Sequence, residues 1–239
     1  MIQHVFERAS LARYIASTIV ATDDERVYEA ARRFGAPVRM TRSDHISGTD
    51  RVAEVASAQN CDIVVNIQAD EPLIDPEAID AAILPVVHDF ALPMSTLKKG
   101  IQDPDEIGDP NVVKVVTDHS GDAIYFSRCP IPYQPPLADG RTPEREPRPG
   151  KRAGGLNNMY FKHIGLYVYR REFLLGYSSL PVGPLEKAER LEQLRALENG
   201  HRIGVVETDC DSIGVDTPQD LERVSRLFEF SIEGVKADG

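Results

Sequence analysis

The sequence predicts an α/β fold with a mainly parallel, doubly wound sheet, and three observations carry that expectation. Short apolar strand patterns alternate with amphipathic helical patterns, and βαβα alternation implies parallel strands with helices on both faces. A β-branched run, Ile63 to Pro72 (IVVNIQADEP), ends on an acidic pair. In open α/β sheets ligands bind beyond the carboxyl ends of strands, where a carboxylate has a rigid support. At 239 residues and 41% hydrophobic content, the chain is long enough to bury the core of one such unit over 1–239.

The elements follow in order. Ile2 to Arg13 reads as a helix, Ser17 to Ala21 as a strand, Asp24 to Phe34 as a helix, Pro37 to Met40 as a strand and Thr49 to Gln59 as a helix. Asp62 to Gln68 is the next strand, followed by a helix over Pro76 to Val87 and a strand near Met94 to Lys98. VVKVVTD and AIYFSR flank the tight-turn sequence HSGD, which predicts a hairpin and so a small antiparallel lobe within 112–170. Cys129 to Gly155 is dense in Pro, Gly and Arg and predicts a long loop. After it come a strand at Met159 to Tyr169, a helix at Leu185 to Leu197 ending at Asn199-Gly200, a strand at His201 to Glu207 and a helix at Pro218 to Phe230.

Composition excludes several functions. A net charge of -11 repels phosphate backbones, and the basic cluster Arg145 to Arg152 sits in a Pro/Gly-rich stretch, so no nucleic-acid partner is expected. Cys61, Cys129 and Cys210 are widely spaced, which suggests neither a zinc site nor a disulfide framework and fits a cytoplasmic protein. No apolar run is long enough to span a bilayer, and MIQHVFERAS is too polar for a secretory signal, so no membrane partner is expected.

Asp70, at a strand end, is the first candidate metal ligand; the alternative is that Asp70, Glu71 and Pro72 only open a polar turn. Its partner is Asp216 in GVDTPQD, whose own alternative is a capping neighbour where Pro218 starts a helix. Two such carboxylates suit Mg²⁺, which takes one or two carboxylates plus substrate phosphate oxygens. In MTRSDHISGTDR, Ser47, Gly48 and Thr49 form a turn into a helix near Asp50, presenting N–H groups to a base edge or phosphate, with Arg42 and Arg51 at hand. The same string is also an ordinary capped turn.

In KHIGLYVYRREFL, strand alternation puts His163 and Tyr167 on one face, either lining a polar pocket or serving as a satisfied core histidine and an amphipathic tyrosine. In PLEKAERLEQLRALENG, read as one helix, Glu192 projects into the stripe of Leu185, Ala188, Leu191 and Ala196. It then needs a partner there, or it reaches solvent or pairs with Arg195.

Taken together, VATDDERVYEAA, MTRSDHISGTDRVAEV, VVNIQADEP, NVVKVVTDHSGDAIYFSR, KHIGLYVYRREFL, PLEKAERLEQLRALENG and GVDTPQDLERV resemble the 3-deoxy-manno-octulosonate (Kdo) cytidylyltransferases, also called CMP-Kdo synthetases. The resemblance runs in order through nearly the whole chain. It implies a Rossmann-like nucleotidyltransferase sheet with a small antiparallel dimerisation lobe, hence a homodimer. It implies CMP transfer from CTP to Kdo with release of pyrophosphate, for lipopolysaccharide assembly, with Mg²⁺ on Asp70 and Asp216.

By the same resemblance Ser47, Arg51 and Gln68 grip the cytidine nucleotide. Arg128, His163, Tyr167, Glu192 and Gln193 take the sugar acid, with Arg128 as a fork for its carboxylate. The family's opening strand and triphosphate loop, of the type IPARxxSTRLPGKPL, has no counterpart here, which implies a coding segment upstream of Met1 or a shortened form. Activation of 8-amino-Kdo, or a silent homologue that keeps nucleotide or sugar affinity, are the alternatives.

Overall fold

The computed structural model describes residues 1–135, 159–210, 214–215, 220–222 and 224–226. The chain groups into two compact units, one of Met1–Ala58, Ile67–Asp80 and Cys210–Gly239, the other of Gln59–Asn66 and Ala81–Asp209.

In the first unit, β1 (Val20–Thr22) and β2 (Val38–Met40) pair in parallel, joined by α2 (Glu25–Arg33). Helix α2 starts where it does because the Asp24 carboxylate accepts the Arg26 N–H at 2.8 Å, satisfying an otherwise orphaned donor. Val20, Ala31, Ala36 and Val38 form a core cluster, against which Ile2 and Phe6 of α1 (Ile2–Ser10) pack. Helix α1 stops at Ser10 rather than Arg13. The Ser10 hydroxyl folds back onto Phe6 O, and the Arg13 and Tyr14 N–H groups donate to the Asp80 carboxylate at 3.0 and 2.9 Å. Helix α3 (Gly48–Ser57) completes this part.

The second unit holds a six-stranded sheet. Its strands are β3 (Ile63–Asn66), β4 (Met94–Gly100), β5 (Lys114–Thr117), β6 (Ala123–Ser127), β7 (Phe161–Arg170) and β8 (Ile203–Glu207). The order is β6-β5-β7-β4-β8, with β3 also on β7. Met94, Leu97, Leu166, Val168, Ile203, Val86 and Phe126 are buried.

Strands β4 and β8 pair in parallel, whereas β7 runs antiparallel to β3, β4 and β5. The expected hairpin forms, Lys114 opposite Ser127, and its strands are the edge of this sheet rather than a separate sheet.

Helix α4 (Pro76–His88) begins in the first unit and continues into the second. Two short helices escaped the pattern: α5 (Asp105–Gly108) and α6 (Arg171–Tyr177). The expected helix over Leu185 to Leu197 is two helices, α7 (Pro184–Glu189) and α8 (Leu194–Glu198), broken at Arg190, whose φ of 54° is left-handed.

Contacts across the break explain it. Arg195 forks onto Glu186 at 2.6 and 2.9 Å, and the Glu198 carboxylate takes the N–H groups of Leu185 and Glu186 at 2.8 and 3.0 Å. In a continuous helix, partners nine residues apart would lie about 13 Å apart along the axis, so these bonds require a reversal. A Cβ at Gly183 would sit 2.3 Å from the Glu198 carboxylate and would push that cap aside. From residue 136 onward the expected loop lies outside the described residues; of the expected closing helix, 220–222 and 224–226 are helical.

Candidate active site

In the first unit the TRSDHISGTD segment joins β2 to α3. Ser47 is the N-cap of α3: its backbone is extended and its hydroxyl accepts the Asp50 N–H at 3.2 Å. Glu54, one turn before the end of α3, clamps the loop at two points, taking the Arg42 N–H at 3.2 Å and a very short contact from His45 Nε2. The His45 hydrogen bond, then that of Arg42 N, holds the Glu54 carboxyl below its usual value.

Arg51, on the first turn of α3, pairs with Asp23 at 3.0 Å and donates to Arg42 O at 3.3 Å, which fixes its guanidinium against the ends of β1 and β2. The Gln68 amide lies over the start of α3, its Oε1 3.3 Å from where Gly48 would carry a Cβ. The structure therefore brings Ser47, Arg51 and Gln68 together around one helix N-terminus.

Asp70 sits, half buried, in the turn after β3, as the strand-end reading expects. Asp216 lies outside the described residues. Its neighbour Val215 donates its N–H to Asp70 O at 2.9 Å, which places Val215 against the Asp70 turn. Among the described residues no group of three or more His, Cys, Asp and Glu is disposed to hold a metal. The donor chemistry of Asp70 is hard carboxylate oxygen, which fits Mg²⁺ with substrate oxygens completing the shell.

In the second unit His163 and Tyr167 share a face of β7, their rings 5.3 Å apart, with Phe126 edge-on to His163 at 5.1 Å. Four residues along a flat strand would separate them by about 13 Å. The β4/β7 register shifts there: Thr96 faces Tyr167, and Leu97 faces Ile164. Gly165 and Leu166 are thus extra residues on β7, a bulge that re-aims the two rings.

The Thr96 hydroxyl lies 2.6 Å from Leu166 O and 2.9 Å from His163 Nε2. A hydroxyl has one proton, and a carbonyl only accepts, so Thr96 donates to Leu166 O and accepts from His163 Nε2–H. His163 is therefore the Nε2–H tautomer, with Nδ1 an acceptor. Burial pushes its pKa from 6.5 to about 3 and raises that of Tyr167 well above 10.0, so both rings are neutral near pH 7.

Arg128 follows β6. Its Nε donates to Glu189 O at 2.8 Å, Nη1 to Pro110 O at 2.8 Å and Nη2 to Arg190 O at 3.5 Å. Three of its five N–H groups thus rest on neutral carbonyls, and the fork expected from the resemblance is held by its back. Glu192 and Gln193 lie in the reversal between α7 and α8, not in a helix stripe. Tyr177 donates to Glu192 O at 2.8 Å, and Gln193 is buried. Arg195, one alternative partner for Glu192, forks onto Glu186 instead.

Two charged residues escaped the sequence reading. Lys114 is fully buried, its ammonium giving all three protons to Asp109 O, Val112 O and Arg128 O at 2.8, 2.6 and 2.7 Å. The signal for it was a lysine inside the apolar run VVKVV. The other is Glu189, the carboxylate nearest Arg128's main chain, for which no local pattern gave a signal.

The chain is a nucleotidyltransferase: the family model for cytidylyltransferase matches residues 1–203. A 3-deoxy-manno-octulosonate cytidylyltransferase of Solibacter usitatus (strain Ellin6076) is 68% identical over 97% of this chain and 85% of its own length. One of Geobacter metallireducens is 52% identical over 97% of this chain and 89% of its own length. The chain belongs to the 3-deoxy-manno-octulosonate cytidylyltransferase family.

The solved structure of a CMP:2-keto-3-deoxy-manno-octonic acid synthetase complexed with CTP superimposes with a TM-score of 0.82 at 42% identity, covering 96% of this chain and 88% of that one. A 4-diphosphocytidyl-2C-methyl-D-erythritol synthase of Anaerococcus prevotii, 10% identical with a TM-score of 0.55 over 95% of this chain and 88% of its own, shares the fold.

Proposed function

We propose that this chain transfers CMP from CTP to 3-deoxy-D-manno-octulosonate, releasing pyrophosphate, as a cytoplasmic step toward lipopolysaccharide. The observation that carries this reading is the 68% identity, over 97% of the chain, to a protein of that name. The sugar's anomeric oxygen attacks the α-phosphorus of CTP and the α–β P–O bond breaks. Pyrophosphate leaves with the electron pair, and the hydroxyl proton is lost.

On this reading the first unit takes the nucleotide. Ser47 and Gly48 offer the N-terminal N–H groups of α3 to an anionic or base-edge oxygen, Gln68 reads the cytosine edge, and Arg51 contributes positive charge. Asp70 and Asp216 would hold Mg²⁺, which when bound neutralises charge on the α-phosphate. The second unit takes the sugar acid. His163 Nδ1 accepts from a sugar hydroxyl and Tyr167, kept protonated by burial, donates to one. Arg128 takes the carboxylate, and Glu192 and Gln193 take the remaining hydroxyls.

The same reading makes the protein a homodimer through the edge strand β6, where Ile124 is 61% exposed. Light scattering at micromolar concentration should give twice the chain mass; a monomer would remove that part. A pyrophosphate-release assay tests the rest. Release should require CTP, Kdo and Mg²⁺ together, and release that ignores Kdo, or runs faster on another sugar acid, overturns the reading.

A further inference from the structure

We propose that Glu189 is a positioning residue that fixes the direction of the Arg128 guanidinium and joins it to the reversal carrying Glu192 and Gln193. The inference rests on the assignment of Arg128 to the sugar carboxylate.

Glu189 holds Arg128 at both ends. Its carboxylate accepts the Arg128 main-chain N–H at 2.9 Å, and its carbonyl accepts the Arg128 Nε–H at 2.8 Å. The same carboxylate takes the Ser127 hydroxyl at 2.6 Å and the Tyr125 hydroxyl at 3.4 Å, so it grips the end of β6 through side chains as well. From the other side, Lys114 holds Arg128 O at 2.7 Å. Three consecutive polar groups of Arg128, its N–H, its C=O and its Nε–H, are thereby spoken for by two charged residues of opposite sign.

The arrangement leaves charge where a ligand needs it. Glu189 spends its carboxylate on main-chain and hydroxyl donors and not on the guanidinium. Among the described residues the guanidinium makes no ion pair, and its contacts are the carbonyls of Glu189, Pro110 and Arg190. A guanidinium held by its back on neutral oxygens keeps its full charge for an anionic partner, whereas a contacting carboxylate would neutralise it.

Glu189 is also the last residue of α7, followed by the left-handed Arg190 and then by Glu192 and Gln193. The residue that orients the carboxylate fork is thus also the anchor of the segment assigned to the sugar hydroxyls. A change at Glu189 should therefore move sugar recognition as a whole and leave the nucleotide untouched.

Glu189→Gln is the sharp variant, because it keeps the volume but replaces one acceptor oxygen by a donor facing donors. The expected result is a Kdo KM raised about tenfold with the CTP KM within about twofold, and less than a further twofold when it is added to Arg128→Lys. In the substrate-free protein the Arg128 Nε–H signal, assigned by its loss in Arg128→Lys, should broaden or vanish. Both KM values rising together, an additive effect on Arg128→Lys, or an unchanged Kdo KM would overturn the proposal.

If the wild-type protein does not turn over Kdo, the functional reading falls. The Nε–H signal still decides the positioning role, a sharp signal in Glu189→Gln refuting it. Should Glu189→Gln not fold, Ser127→Ala removes a single donor to the same carboxylate. It should raise the Kdo KM about threefold, and no change refutes the proposal.

Discussion

His163 and Tyr167 face each other with ring centroids 5.3 Å apart because β7 bulges at Gly165 and Leu166. The bulge also puts Leu166 O within 2.6 Å of the Thr96 hydroxyl, which settles the tautomer of His163 and leaves it no stabilising charge partner. A buried histidine held neutral makes the fold sensitive to acid.

The sign follows from burial, which lowers the His163 pKa from 6.5 to about 3. The unfolded chain binds a proton below pH 6.5 and the folded chain does not. Stability is therefore complete above 6.5 and falls toward pH 3 by about 1.4 kcal/mol per pH unit. His163→Gln keeps a donor for Thr96 and removes the titration. Urea unfolding at pH 7 and pH 5 should show the wild type losing about 2 kcal/mol more than the variant; parallel losses would mean that His163 is protonated in the folded state.

Gly48→Ala probes the nucleotide side. The new Cβ meets the Gln68 amide at 3.3 Å and forces it to shift by a few tenths of an ångström, while alanine favours the helix. The CTP KM should rise several-fold, with thermal stability unchanged or higher and the Kdo KM unchanged. An unchanged CTP KM would remove Gln68 from the nucleotide contacts.

Asp70→Asn leaves the Val215 bond in place, because that bond is to the main-chain oxygen of Asp70. It should leave the circular dichroism spectrum intact and cut turnover by at least about a hundredfold, with the Mg²⁺ requirement shifted to higher concentration. Near-normal turnover with an unshifted Mg²⁺ titration would show that Asp70 holds no metal.

Arg190→Gly relieves the left-handed backbone at φ 54° without disturbing the Arg195–Glu186 and Glu198 contacts across the break. Unfolding stability should rise by about 1 kcal/mol. A loss of that size instead would assign the exposed guanidinium a stabilising contact of its own.

Much of this architecture was legible in local pattern. Each of the eight strands among the described residues is legible in the sequence, since Val/Ile-rich runs such as IVVN and VVKVV bounded by turn residues are strong local signals. The capped turn before α3, the strand-end position of Asp70 and the common face of His163 and Tyr167 follow from the same short-range periodicities. What escaped was set by contacts distant in sequence. Reading Leu185 to Leu197 as one helix was reasonable from its apolar spacing, and only the Glu198 cap and the Glu186–Arg195 fork break it at Arg190. The antiparallel course of β7 depends on its pairing with β3, β4 and β5, and the role of Glu189 depends on Arg128, 61 residues earlier. Short helices such as α5 and α6 carry too few residues for periodicity to register.

Following the reaction by ³¹P NMR tests the central claim most directly, with the protein, CTP, Kdo and Mg²⁺ in one tube. The account predicts that the triphosphate resonances of CTP give way to one phosphodiester resonance, that of CMP-Kdo, and to pyrophosphate in equal amount, with no change when Kdo is omitted. CTP left intact beside Kdo, or consumed to CMP or CDP without a phosphodiester signal, would contradict it.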